Sequence, residues 1–233
     1  MNYIFFAPDI KSSPFLPEEE SAHCVRVLRM KEDDEILLAD GKGFFYQCSI
    51  VNAHPKHCQV RIENSWKEKS LRSFFLHIAV APTKNIARME WFAEKATEIG
   101  IDAITCLNCR FSERRELKTE HLTKVLVSAM KQSEKATMPQ LTGMTKFEDF
   151  ISQPFDGHKF IAHCEKEEKP LLKTIYHSGE NALVLIGPEG DFSKDEIKSA
   201  LEHGFEPVSL GESRLRTETA ALVACHTIVL INQ

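Results

Sequence analysis

From residue 74 onward the chain alternates short, almost wholly apolar runs with longer stretches whose apolar residues recur every three or four positions. The runs are FFLHIAVA (74–81), AITCLN (103–108), KFIAHC (159–164), ALVLIG (182–187) and PVSL (207–210). Successive side chains of a strand point to opposite faces, so a run apolar at consecutive positions must be covered on both sides. Between the runs lie helical patterns. In KNIARMEWFAEKATEIG, Ile86, Met89, Phe92, Ala93, Ala96 and Ile99 share one face, and Gly100 stands where a helix stops. Further helices are predicted from about Thr119 to Lys135, near 170–177, over SKDEIKSALEHG (193–204), and from about residue 217 to the end. This alternation predicts an α/β fold with a parallel sheet and helices on its faces.

The first seventy residues differ. NYIFFA, EILLAD, FFYQCSIV and HCQVRIEN are short, rich in β-branched and aromatic residues, and separated by turn signals such as DGKG at 40–43. One helix, PEEESAHCVRVLRM (17–30), interrupts them, with its glutamates in the first turn where the dipole favours them. A small β-barrel with one helix is expected over 1–70. SWKEKSLRS (65–73) reads as a linker, and the second domain spans 74–233.

Composition excludes several classes. The N-terminus MNYIFFAPDI has no basic region followed by a long apolar stretch, so no signal peptide is expected. The longest apolar run, ALVACHTIVLI, is broken by His226 and too short to span a bilayer, so no membrane association and a cytoplasmic location are expected. The seven cysteines lack framework spacing, which suits reduced thiols. Cys106 and Cys109 form a CxxC, but no second ligand pair accompanies it; two unlinked thiols and no metal are expected. The net charge of −5 disfavours a non-specific polyanion binder. Residues 104–138 nevertheless hold seven Lys/Arg against four Asp/Glu, compatible with a nucleic-acid face or with a solvated helix surface.

Two segments carry chemistry. In ALVLIGPEGDFSKDEI (182–197) a buried strand runs into a glycine-rich turn, and Ser193 with Glu196 forms a capping box for the following helix. The turn is neither a P-loop nor a dinucleotide fingerprint, since Gly-Lys-Ser/Thr and GxGxxG are both absent. In LGESRLRTETAAL (210–222), Thr217 or Thr219 can cap the last helix and Glu218 suits its dipole. Arg214 and Arg216 are left over: cations there are unfavourable unless a ligand or partner compensates. Two polar loops at strand ends of one open sheet mark a candidate ligand site.

IGPEG followed by LGxxxLRTETA resembles the C-terminal signature of the SPOUT methyltransferases, and more narrowly the bacterial 16S rRNA uridine-N3 methyltransferases. HCVRVLRM (23–30) and RMEWFAEKATEIG (88–100) are similar to the same family, so the resemblance spans nearly the whole chain. It implies a PUA-like, RNA-binding barrel followed by a SPOUT domain whose C-terminal segment forms a trefoil knot. It also implies a homodimer that binds S-adenosyl-L-methionine through the knot loops and acts on 16S rRNA or the small ribosomal subunit. Two departures stand out. Asp191 replaces a usual glycine, although aspartate tolerates the left-handed region; and KQSEK (131–135) replaces E-Q-S-G-R, with Lys135 keeping a cation.

On this resemblance Leu185, Gly187, Glu189, Gly190, Leu210 and Gly211 would hold the cofactor, together with Leu215, Thr217 and Thr219. Arg216 would stabilise negative charge developing on the uracil oxygens. Glu218 would either accept the N3 proton or orient Arg216. RNA phosphates would be gripped by Lys84, Arg88, Arg110, Arg114 and Arg115, by Lys118, Lys124 and Lys135, and on the barrel by Arg26 and Arg29. Glu98 opposes the dipole of its helix; it is expected to be solvent-exposed, the alternative being an ion pair with Arg110 or Arg114. Two other readings share the fold: a SPOUT enzyme acting on tRNA or large-subunit rRNA, and a non-catalytic RNA-binding or assembly factor.

Overall fold

A computed structural model describes residues 3–69, 72–166 and 168–233. Ser70 and Leu71, within the expected linker, and Asn2, at the start of the first predicted strand, lie outside the described residues. The chain forms two compact units, 1–70 with 127–138, and 71–126 with 139–233.

In the first unit, β1 (Ile4–Phe6), β2 (Glu35–Ala39), β3 (Phe44–Asn52) and β4 (Gln59–Lys67) form one sheet in sequential order. β1 runs parallel to β2 and the other pairs are antiparallel. The β2–β3 connection is the DGKG turn: Asp40 accepts from the backbone N–H groups of Lys42 and Phe44 at 2.8 and 3.0 Å, and Gly41 and Gly43 supply positive φ. One face buries Phe5, Leu38, Tyr46 and Ile50 with Cys24. The other buries Ile4, Ala39 and Phe45 against Met130 and Ala136, so residues 127–138 complete this unit, a return that no local sequence pattern announces.

The helix predicted over 17–30 is divided. α1 (Glu18–Ala22) passes into a π-helical turn, His23–Val27, in which the Leu28 N–H bonds the His23 carbonyl, and Arg29 then adopts a left-handed φ of 57°.

In the second unit six parallel strands run in the order β10-β8-β9-β5-β6-β7. They are β5 (Leu76–Val80), β6 (Ala103–Asn108), β7 (Gln140–Lys146), β8 (His158–Ala162), β9 (Ala182–Ile186) and β10 (Glu206–Val208). The intervening helices are α2 (Ile86–Ile99), α3 (Thr119–Gln132), α4 (Phe147–Ile151), α5 (Leu172–Ile175), α6 (Lys194–Glu202) and α7 (Thr217–Ile231). The start of α3 belongs to the second unit and its end to the first. β7 and α4 were not expected: QLTGMTK has no apolar run, being half-exposed at the sheet edge. α3 ends at Gln132 rather than near Lys135, because Glu134 turns left-handed (φ 55°) and the Lys135 N–H folds back to the Met130 carbonyl.

Helix ends follow local chemistry. The Asn85 side chain accepts from the Ala87 N–H at 3.2 Å to open α2, and Gly100 closes it at φ 121°. Ser193 and Glu196 form the expected capping box of α6. α4 and α6 bury Phe147, Phe150, Ile197 and Ala200 against Ala79, Leu107, Ile161 and Leu185 of the sheet. α7 packs on α2, β5 and β9. None of the seven cysteines forms a disulfide, and burial pushes the Cys106 thiol up to about 12. No helix among the described residues is long and apolar enough to cross a membrane.

Candidate functional site

The carboxyl ends of β9, β8 and β10, neighbours in the sheet, each release a loop toward the same place. That is where ligands sit in open parallel sheets. The loops enclose two adjoining cavities of about 660 and 320 Å³ that share Ala162, Cys164, Arg214, Leu215 and Ala220. The larger is walled by 162–164, Lys169 and 208–215, the smaller by Arg88, 186–191 and 214–217. Of the loops, the one after β8, with His163 and Cys164, carried no sequence motif; its signal was only the preceding apolar run.

The turn after β9 is held from several sides. Asp191 takes the left-handed conformation (φ 67°) in place of a glycine, and its N–H bonds the Pro188 carbonyl at 2.9 Å. Its carboxylate accepts from the Cys164 N–H at 2.8 Å, joining the β9 and β8 loops, so the departure from the family pattern adds a tether. Burial and the Asp191 charge raise the Cys164 thiol pKa, while Arg214 and Lys169 oppose them. Thr217 does not cap α7. It is the first residue of the helix, and its hydroxyl donates to the Gly187 carbonyl at 3.1 Å, tying the β9 loop to the helix entrance. The residue at the cap position is Arg216, in extended conformation with no side-chain cap bond.

Glu218, in the first turn of α7, is nearly buried, and its Oε1 lies 3.8 Å from Nε of Arg88. Its Oε2 is buried without a hydrogen-bond partner. Its cation is therefore Arg88, not Arg216, and Arg88, expected to grip phosphate, stands in the wall of the smaller cavity.

The remaining predicted residues divide. Gly187, Glu189, Gly190, Leu210, Gly211 and Leu215 line the cavities. The Glu189 carboxylate, however, turns aside to accept the Lys84 N–H at 2.9 Å. Leu185 lies within the ladder, fully buried between Ala79 and Ile161, away from either cavity wall. Thr219 sits in the first turn of α7, off the walls of both cavities.

Among the cations, Lys84 pairs with Glu113 at 2.7 Å, and Arg110 with Asp195 at 3.4 Å. Arg114 donates to the carbonyls of Thr83 and Lys84, at 3.1 and 2.7 Å, and so braces that loop. Arg115, Lys118 and Lys124 are exposed on the second unit; Arg26 and Arg29 are exposed and Lys135 half-buried on the first. Glu98 is only partly exposed and bonds Lys95 at 2.9 Å, one helical turn back, rather than Arg110 or Arg114.

A family model for an RNA methyltransferase domain matches residues 70–229, and one for an RNA methyltransferase PUA domain matches 16–63. The chain belongs to this RNA methyltransferase family. Curated relatives named "Ribosomal RNA small subunit methyltransferase E" share 29 % identity in Rickettsia conorii (93 % of this chain, 89 % of the relative) and 26 % in Bacillus subtilis (90 % and 87 %). A crystal structure described as a "probable rRNA-methyltransferase" from Porphyromonas gingivalis is 43 % identical, with a TM-score of 0.93 over 99 % of this chain and 98 % of that one. A Legionella pneumophila protein solved in complex with the bound cofactor SAM is 26 % identical, with a TM-score of 0.87 over 100 % and 98 %. This RNA methyltransferase therefore has its strand-end loops in a fold for which a cofactor-bound relative exists.

Proposed function

We propose that the protein methylates N3 of a uridine in 16S rRNA of the small ribosomal subunit, with S-adenosyl-L-methionine as donor. It works in the cytoplasm as a homodimer, with its C-terminal segment threaded into a trefoil knot. The observation that carries this reading is the double cavity at the carboxyl ends of β10, β8 and β9, with Arg88 and Arg216 in the wall of its smaller part.

The residues suit such a cofactor. Gly211, at φ 125°, has no protein atom within 4 Å of where a Cβ would stand, so the backbone there faces open space beside the larger cavity. When bound, the cofactor supplies a methyl group activated for transfer. Gly187, Gly190, Leu210, Gly211 and Leu215 would hold it, mainly through backbone groups.

Uridine N3 carries a proton and is occupied in base pairing, so the base must be unpaired or drawn out of its stack. As N3 loses that proton, negative charge spreads onto the flanking carbonyl oxygens. Arg216, exposed at the helix entrance with no local partner for its charge among the described ion pairs, would meet that charge. Glu218, itself off both cavity walls, holds Arg88 at the wall of the smaller one; it would either position that cation or take the N3 proton. Incubating the protein with radiolabelled cofactor and separate pools of small-subunit rRNA, large-subunit rRNA and tRNA tests the reading. Label confined to small-subunit RNA, mapping to a uridine that blocks reverse transcription, is the expected result. Label in tRNA, or in none of the pools, would overturn it.

A further inference from the structure

The loop between β6 and α3 has no assigned role beyond its cations, yet it is among the most firmly tied on this surface. The Cys109 N–H bonds the Ser112 hydroxyl at 3.0 Å, and the Ser112 N–H returns to the Cys109 carbonyl at 3.1 Å, closing a tight turn with Arg110 and Phe111 at its tip. The Arg110 N–H donates to Glu196 at 2.8 Å. On the far side Arg114 grips two carbonyls and Glu113 pairs with Lys84.

At the tip of this fixed turn Phe111 is 48 % exposed. A single exposed apolar side chain is ordinary on a protein surface. This one is distinguished by its place. It lies directly on the turn that lines the smaller cavity, since a Cβ on Gly190 would come within 3.2 Å of the Phe111 Cβ. Its ring lies 6.0 Å from the Arg110 guanidinium, which is well exposed and also pairs with Asp195 at 3.4 Å. An aromatic face held by a rigid backbone, next to a guanidinium and beside a cavity, is a combination that binds unpaired nucleic acid. The ring loses little entropy on binding, any base offers a π-face, and the guanidinium attracts the backbone.

We propose that Phe111 is a substrate-binding residue: the platform on which the unstacked uracil rests as it enters the cavity. The inference rests on the RNA reading above and deepens it. Gly190 leaves room for this contact: a Cβ there would press on the Phe111 Cβ at 3.2 Å.

The test uses the full chain and three variants, Phe111→Ala, Phe111→Leu and Phe111→Tyr. Four quantities are measured: turnover on small-subunit RNA, affinity for fluorescein-labelled oligouridylate, affinity for S-adenosylhomocysteine, and oligomeric state. Loss of one base–aromatic stack weakens binding about 5- to 150-fold. Phe111→Ala and Phe111→Leu should each lose that much in kcat/KM and in oligouridylate affinity. Phe111→Tyr should stay within about threefold of the parent, and cofactor affinity and oligomeric state should be unchanged throughout. Leucine matching tyrosine would overturn the proposal, because an apolar covering and not a π-face would then be what matters. So would Phe111→Ala that keeps full RNA affinity, or that changes the oligomeric state, which would make the ring a contact between protomers. The binding measurement separates this proposal from the functional one. A parent protein that transfers no methyl group refutes the activity, while its affinity for oligouridylate still reports on the platform.

Discussion

Glu218 separates two chemistries that a sequence cannot. Its Oε1 stands 3.8 Å from Nε of Arg88, with Glu218 nearly buried and Arg88 about a third exposed. At an effective dielectric of about 20 the gross attraction is roughly 4 kcal/mol, and water around Arg88 and the desolvation of Glu218 reduce it to about 1–2 kcal/mol net. Glu218→Gln keeps the shape and removes the charge. If the carboxylate only anchors Arg88, the cation loses its preferred position and kcat should fall by about tenfold, the equivalent of about 1.4 kcal/mol. If the carboxylate also takes the N3 proton, the loss should reach about 10²–10⁴-fold, the range for removing a general base. Arg88→Lys discriminates further. An anchoring role predicts that Arg88→Lys, which keeps the charge, retains more activity than Arg88→Ala, whereas a proton acceptor is indifferent to that distinction. Single-turnover rates with saturating cofactor and small-subunit RNA would measure this, with S-adenosylhomocysteine affinity as the control. Full turnover in Glu218→Gln would refute both roles and leave the buried carboxylate without a function in the reaction.

Two further outcomes follow from the geometry. Gly211→Val should weaken S-adenosylhomocysteine binding by about tenfold or more in a calorimetric titration, because φ 125° is closed to a β-branched residue and its side chain would stand beside the larger cavity. Unchanged affinity in a folded variant would remove the 209–215 loop from the cofactor site. His77 lies in β5 with Nε2 2.9 Å from the Thr105 hydroxyl, and burial lowers its pKa to about 4. The folded pKa lies below the unfolded one, so its contribution is complete above about pH 6.5 and is lost as pH falls toward 4. Urea denaturation should show about 2 kcal/mol lost between pH 7 and 4.5 on its account, and His77→Gln should flatten that slope; equal slopes would refute the assignment.

The legible part of the fold was the part fixed by local pattern. The buried strands β5, β6 and β9 announce themselves because both faces are apolar, and α2 and α6 because cap residues and periodicity agree. β7 failed that test: an edge strand half open to water needs no apolar run. The return of residues 127–138 to the first unit is a tertiary fact, visible only once Met130 and Ala136 are seen beneath Ala39 and Phe45. At the site, both motif loops were found because glycine, proline and surplus charge mark them. Their pairings were not. Glu218 lies two residues from Arg216 in sequence, yet α7 carries it back to Arg88 on a different helix. Thr217 looked like a cap because threonines cap helices, but its hydroxyl bonds a carbonyl thirty residues away. Long-range partners of this kind leave no spacing signal in one sequence.

Arg216 carries the most consequential expectation. A cation at a helix N-terminus is disfavoured by the dipole, by about 0.3–1 kcal/mol when exposed. No ion pair among the described residues offsets this: Arg216 occupies the cap position without a side-chain cap bond, and the Glu218 carboxylate is engaged with Arg88. An exposed residue of no function would lose nothing on truncation, and Arg216→Ala would then be as stable as the parent or slightly more so. If the guanidinium meets the charge developing on uracil, the same variant should show kcat lower by about 10²–10³. Cofactor affinity should change far less. Arg214 cannot serve as the neutral comparison despite its proximity, because it lines both cavities. Lys198 can, since it is well exposed on α6, lines neither cavity and pairs with Glu202 one turn away. Lys198→Ala should leave kcat unchanged. Equal losses at Arg216 and Lys198 that shrink as salt is raised would mean diffuse attraction of RNA to a charged surface. A large loss confined to Arg216 and insensitive to salt would place that cation at the reacting base, and full-rate Arg216→Ala would remove it from the reaction altogether.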